Sequence, residues 1–275
     1  MPLLPMSTKI NPVIYQIINI ITVISVIIIN ILANALPIFG VNTGQVSDAY
    51  PNFFTPAGYV FSIWFIIYLQ VIIFMIYQAR VSQRNESYLS KISFFYLFAG
   101  LANIAWIFVF HFSYAYAIAN PPFFLASVGI LLLFFILLLL AYLRLGVGKE
   151  SVSRGEKLAV HLHFSVYLAW LSVASIAGIA SALNILIPGL PAETQHLATA
   201  AMLVVALLLT ILMVYLRREF GFPLVVIWAS VGIAAKWLAI PVIAYTAIAV
   251  AIIIVIILLI IPFIKKHKFI DYYLE

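Results

Sequence analysis

Cysteine is absent from this 275-residue chain. That excludes disulfides, thiol catalysis, iron–sulfur clusters and cysteine-ligated zinc. Charge is scarce too: 8% of residues are charged and 66% are hydrophobic, where a soluble domain carries about 25% charged residues to face water. The chain therefore reads as an integral membrane protein. Its eight acidic residues are Asp48, Glu86, Glu150, Glu156, Glu193, Glu219, Asp271 and Glu275, and all fall outside the middle of the apolar runs. Proton- and cation-coupled carriers need carboxylates inside the membrane, so a proton-driven pump is not expected. A retinal Schiff base on Lys236 is not expected either, because its counter-ion would be missing. Lys236 reads instead as an interfacial residue snorkelling outward, with Trp237 beside it in the aromatic belt. No regular alternation of barrel type occurs, which leaves helices as the spanning element. Hydrolytic triads, zinc signatures and phosphate-binding glycine loops are missing, and no feature assigns an enzymatic activity.

What is present is a series of long apolar runs. A span needs about 20 apolar residues to cross about 30 Å of hydrocarbon. Eight runs qualify, at 10–36, 57–79, 92–113, 121–143, 158–186, 195–216, 223–239 and 241–264. The seventh is the weakest, being short and closed by Lys236 and Pro241. The first mimics a signal peptide, with Lys9 before it and Ala33-Asn34-Ala35 at its end. Its apolar run exceeds the ~7–15 residues of a signal h-region, so a retained span is expected.

The formal charge of +6 reflects orientation rather than nucleic-acid binding. Thirteen of the 14 basic residues, all but Lys236, lie before span 1, in the even loops or after span 8. The positive-inside rule then places both termini in the cytoplasm of a multi-pass protein, expected in the cell membrane. The acceptor-like triplet Asn85-Glu86-Ser87 falls on the cytoplasmic side. Three segments fit the loose sterol-contact pattern, ending at Arg80, Arg144 and Arg217. Each is also what a belt tyrosine followed by an inside arginine produces, so they carry little. His111, His161 and His163 show no ligand spacing and read as interfacial.

Aromatic residues are the distinctive feature. Tyr50–Leu69, "YPNFFTPAGYVFSIWFIIYL", holds eight rings in twenty residues. In span 2, Phe61, Trp64 and Tyr68 share one helical face. In span 3 Asn103, Trp106 and Phe110 repeat the spacing, and in span 5 Tyr167, Trp170, Ala174 and Ala177 do so again. An asparagine in hydrocarbon needs a partner across the bundle, so Asn103 and its stripe are expected to face inward. Three such stripes point to a shared aromatic cavity, the usual setting of a small-molecule site. The small-xxx-small pairs Ala174/Gly178 and Ala177/Ser181 suit close helix packing, expected within one chain.

The segments "FTPAGYVFSIWFIIY", "LANIAWIFVF" and "VYLAWLSVASIAG" resemble the signatures of the translocator protein / tryptophan-rich sensory protein family. The chain departs from that pattern at Pro56-Ala57, where two prolines are usual. It also departs at Phe54 and Tyr59 in place of tryptophans, at Val166 and at Gly178, and its Phe61–Trp64 gap is one residue shorter than the common form. The resemblance implies an all-α, five-helix core with a ligand cavity, assigned to 1–190; the last three apolar runs lie outside that core and add three further helices with a basic tail over 191–275. It implies a pocket for porphyrins, sterols or synthetic aromatics capped by the first loop, with a tetrapyrrole as a possible ligand and a homodimer as a possible assembly. The ligand residues it points to are Pro56, Tyr59, Phe61, Trp64, Tyr68, Asn103, Trp106, Tyr167, Trp170 and Ala174. The function expected is a membrane receptor or sensor for a hydrophobic, aromatic, porphyrin-like molecule. A transporter or exchanger of such a molecule, not proton-coupled through an intramembrane carboxylate, is the alternative.

Overall fold

A computed structural model describes residues 10–274. Helices α1 (Pro12–Ala35), α2 (Thr43–Ala49), α3 (Ile63–Ala79), α4 (Ser87–Ile92), α5 (Phe95–Phe112) and α6 (Pro121–Leu145) lead the chain. They are followed by α7 (Arg154–Glu156), α8 (Leu162–Leu186), α9 (Ala192–Arg217), α10 (Gly221–Lys236), α11 (Pro241–Ile264) and α12 (Phe269–Leu274). No strand occurs among the described residues. The chain is an all-α, multi-pass integral membrane protein: among the described residues seven helices are long and apolar enough to cross a bilayer. The eighth expected span is α10, 16 residues long, which at about 1.5 Å per residue falls short of the hydrocarbon thickness.

Local chemistry sets several helix starts. Pro12, Pro121 and Pro241 each occupy the first turn of their helices, where a missing N–H costs nothing and φ is already helical. Asn11 caps α1 by accepting from the Val13 amide at 3.0 Å. Asn42 and Gln45 form a reciprocal capping box on α2, satisfying two otherwise free amides. The third expected span starts three residues late, because Ser93 turns the chain through a positive φ of 49° between α4 and α5. The fifth opens with a π-helical turn, Lys157–His161, which runs straight into α8.

Five helices close into a ring: α1 against α5, α5 against α6, α6 against α8, α8 against α3, and α3 against α1. Outside it, α9 packs on α11 and α10, while α10 packs on α8. The last three helices thus lean on the core through its fifth helix, and α8 is buried on both sides. Its apolar stretch is 56% buried, where those of α1 and α6 reach 39% and 33%.

The basic loops gather at one end. Lys91 pairs with Glu150, and Arg144 Nε donates to the Lys91 carbonyl at 2.9 Å. Arg217 Nη1 donates to Val147 O at 3.1 Å. Beside it Gly148, at φ +72°, leaves no room for a side chain, since a Cβ would sit 1.5 Å from Arg217 O. The arginines at the three sterol-like segments also serve here: Arg80 covers the ring of Tyr77 and Arg217 that of Tyr142. In the link from α9 to α10, Glu219 is buried and accepts from the Tyr142 hydroxyl at 2.6 Å and from the Phe222 amide at 3.3 Å.

The interfacial reading of the histidines is corrected by the fold. His111, His161 and His163 are all buried. His163 lies 3.1 Å from the Tyr96 hydroxyl and stacks on Phe74 at 5.4 Å, and His111 meets Thr43 Oγ1 at 3.0 Å. Two residues apart on a helix, His161 and His163 face different neighbours, and among the described residues no three potential metal ligands converge.

Candidate functional site

The end of the ring remote from the basic loops holds a cavity with about 680 Å³ of empty space, counted to its open mouth. Its walls are aromatic because three helical stripes meet there. Trp64 of α3 meets Trp170 of α8 edge-on at 6.1 Å, and Phe61 meets the same indole at 5.8 Å. Opposite them, Trp106 stacks on Phe110 at 5.0 Å along α5. Such edge-to-face and offset pairs are the favoured geometries between rings. The fourth wall is α6, through Phe124, Ser127, Val128 and Leu131. Among the described residues no charged side chain lines the cavity.

Room for the cavity comes from the small residues of α8. Ala174, Ala177, Gly178 and Ser181 all line it, so the two small-residue pairs set a hollow rather than a tight helix contact. A Cβ on Gly178 would reach Val128 only at ordinary contact, 3.5 Å.

The roof is the segment between α1 and α3. Thr43 and Ser47 come from α2, and Tyr50, Asn52, Thr55 and Pro56 from the loop. Tyr50 ties it down: its ring stacks on Phe124 at 4.0 Å, and its hydroxyl donates to Ser113 O while accepting from the Asn120 amide at 3.0 Å. Asn52 holds the next turn, accepting from the amides of Phe54 and Thr55 at 2.8 Å each. From there the roof runs onto α10. The Ala57 amide donates to Gly232 O at 3.1 Å, and Trp228 Nε1 donates to Val60 O at 3.0 Å. Gly232 permits this approach, because a Cβ there would lie 2.1 Å from Val60 Cγ2.

Of the residues singled out from the sequence, Pro56, Phe61, Trp64, Trp106, Trp170 and Ala174 line this cavity. Tyr59 does not; it is exposed and meets Trp228 edge-on at 5.5 Å. Tyr68 backs Trp64, ring on ring at 5.7 Å. Asn103 and Tyr167 lie deeper, beside a separate small hollow that they share with Thr22 and Tyr96. Asn103 accepts there from Asn30 Nδ2 at 2.7 Å and donates toward the Tyr167 hydroxyl at 3.4 Å. The inward-facing asparagine is observed, with its partner on α1. Trp237 is no simple belt residue, since it is half-buried with its ring 4.8 Å from Phe53 of the roof.

Sequence reasoning missed Asn52, Thr55, Thr43, Ser47 and Ser127. Polar loop residues and lone hydroxyls carry no periodicity, and long-range pairings such as Asn52 with Ser181, 129 positions away, and Thr43 with His111, 68 away, form only in the fold.

A family model described as TSPO-like protein matches residues 16–260. The chain belongs to the TSPO-like family. The matched segment runs past α8 through α9, α10 and most of α11, so the helices beyond the five-helix ring fall within it. Comparison with curated proteins and with solved structures yields no match. Membership supports a membrane sensing, binding or transport role in general terms.

Proposed function

We propose that this TSPO-like protein is a membrane receptor that holds a planar aromatic molecule in the roofed cavity. The observation that carries the reading is the wall itself: three tryptophans and three phenylalanines converge on one space that contains no charge. Flat apolar walls favour flat ligands. A carboxylate would be costly to desolvate without a cationic partner, so a tetrapyrrole would keep its acidic arms at the mouth. The indole N–H of Trp170 is buried without a hydrogen-bond partner among the described residues, and an acceptor on the ligand would satisfy it. Pro56, Phe61, Trp64, Trp106, Trp170 and Ala174 are the proposed contacts, with Asn52 and Ser181 as the polar end. Tyr68, Asn103 and Tyr167 support that wall from behind. Both termini are assigned to the cytoplasm of a cell membrane, with the roof outside.

Titration of the purified protein with tetrapyrroles, retinoids and sterols, followed by tryptophan fluorescence, tests the reading. Saturable quenching by planar aromatic compounds is expected. Loss of a ring contact costs on the order of 1 kcal/mol beyond burial, so Trp106→Ala and Trp170→Ala should each raise Kd about tenfold. Binding that neither substitution changes would refute the cavity. Ligand flux across proteoliposomes would identify a transporter instead.

A further inference from the structure

We infer that the aromatic cavity is entered through a second, polar-rimmed chamber between the roof-side ends of α8 and α9, with Asn52 as the gate between them. The inference rests on the ligand-cavity reading above and adds the route to it. The chamber is an open hollow with about 380 Å³ of empty space counted to its mouth, lined by the polar Asn184, Thr194, Gln195 and Thr199 and by Leu183 and Met202. Asn52 is the residue that lines both spaces.

The bonding around Asn52 is that of a latch. Its Nδ2 faces three acceptors: Ser181 Oγ at 2.7 Å, Thr55 Oγ1 at 2.7 Å and Ala177 O at 3.2 Å. An amide has two N–H donors, so three acceptors cannot all be served at once and the group has alternative resting partners. Ser181 itself donates to Tyr50 O at 2.6 Å, and Asn184 Nδ2 donates to Pro51 O at 3.1 Å. The latch therefore holds the roof to α8 through side chains rather than through backbone pairing. The next residue, Phe53, is wedged against the family's further helices, its ring 4.4 Å from His196 of α9 and 4.8 Å from Trp237 after α10.

The other edges of the roof are tied down as well. Toward α10, the roof is held by the Ala57–Gly232 and Trp228–Val60 hydrogen bonds. Between α5 and α6, the doubly bonded Tyr50 hydroxyl closes the gap. Thr43 is tied to His111 of α5 at 3.0 Å, and its amide donates to Asn34 Oδ1 of α1 at 3.3 Å. The stretch 51–55, facing the chamber, meets α8 through hydrogen bonds that each involve a side chain, so opening it costs side-chain bonds and the Phe53 ring contacts rather than backbone pairing. A polar rim leading to apolar walls is the order in which an amphipathic aromatic molecule would shed its water.

The natural absence of cysteine provides the test. Ala174→Cys places a single thiol on the cavity wall, and its rate of labelling by N-ethylmaleimide in detergent reports access. Ala198→Trp, at an exposed chamber position, and Ala180→Phe, which fills the chamber from α8, should each slow that labelling about tenfold, an added barrier of roughly one decade in rate. Asn52→Ala should speed it. Ser87→Cys, on α4 at the opposite end, should label at the same rate with and without these changes. Unchanged labelling of Ala174→Cys in both chamber variants would overturn the route, as would equal slowing at Ser87→Cys. If no aromatic ligand protects Ala174→Cys while the chamber variants still slow its labelling, the ligand reading fails and the route stands.

Discussion

Asn103 shows how one buried amide divides fold from site. Its stripe pointed inward, and the structure supplies the partner the hydrocarbon demands, Asn30 of α1 at 2.7 Å. The pair sits behind the cavity rather than in it, so its contribution is to the bundle. Removing one partner leaves the other buried and unsatisfied, at a cost of about 1–3 kcal/mol, although hydrogen bonds between membrane helices average nearer ~0.6 kcal/mol. Asn30→Leu should therefore lower Tm in detergent more than Asn30→Leu with Asn103→Leu. A double variant less stable than the single one would show that the pair is not a unit. Neither change should alter affinity for a planar ligand appreciably.

At the scale of elements, the 3.6-residue spacing of the rings in α3, α5 and α8 was legible because each stripe is a local property of one helix. The roof's seat on α10 was not. Trp228 and Val60 are 168 positions apart, and α10 is a short apolar helix with no pattern marking which face meets a loop. Gly232 is where the two approach most closely. Gly232→Leu should force α10 off the roof, as a Cβ would lie 2.1 Å from Val60 and 3.1 Å from Pro56. Overpacking of this kind costs about 1–3 kcal/mol, so a drop in Tm with weakened ligand binding is expected in thermal and fluorescence titrations. Gly129→Ala in α6 meets nothing within 4 Å and should leave both unchanged.

For the whole molecule, the asymmetry of basic residues makes a topological prediction. Reporter tags at either terminus should be protected from reagents added outside intact cells, and a tag in the α1–α2 link should be exposed. An exposed C-terminus would mean that α10 does not complete a crossing. The basic end also carries a pH dependence. Burial raises the Glu219 carboxyl to about 7 from an ordinary 4.5, against the opposing effects of Tyr142, the Phe222 amide and Arg217. The folded state then holds a proton that the unfolded chain releases, so stability falls as pH rises from about 4.5 to about 7 and levels off above. Glu219→Gln keeps the neutral form at every pH. It should match the wild type near pH 5 and melt higher than it near pH 8; equal melting at both would show that the carboxyl is not buried neutral.

Composition alone determined that this chain lives in a membrane, since 8% charge cannot cover a water-facing surface. Run lengths determined the number of helices to within the short α10, and helical periodicity determined which rings share a face. These are properties of single segments, fixed by hydrocarbon thickness and helix pitch. Tertiary structure decided the rest. It alone made α8 a wall shared by the ring and the outer helices, turned the small residues of that helix into a hollow, buried the three histidines, and set Asn52 between two spaces. Those outcomes depend on contacts between residues dozens to hundreds of positions apart. No local spacing encodes them, because a buried polar group finds its partner only when the helices have packed.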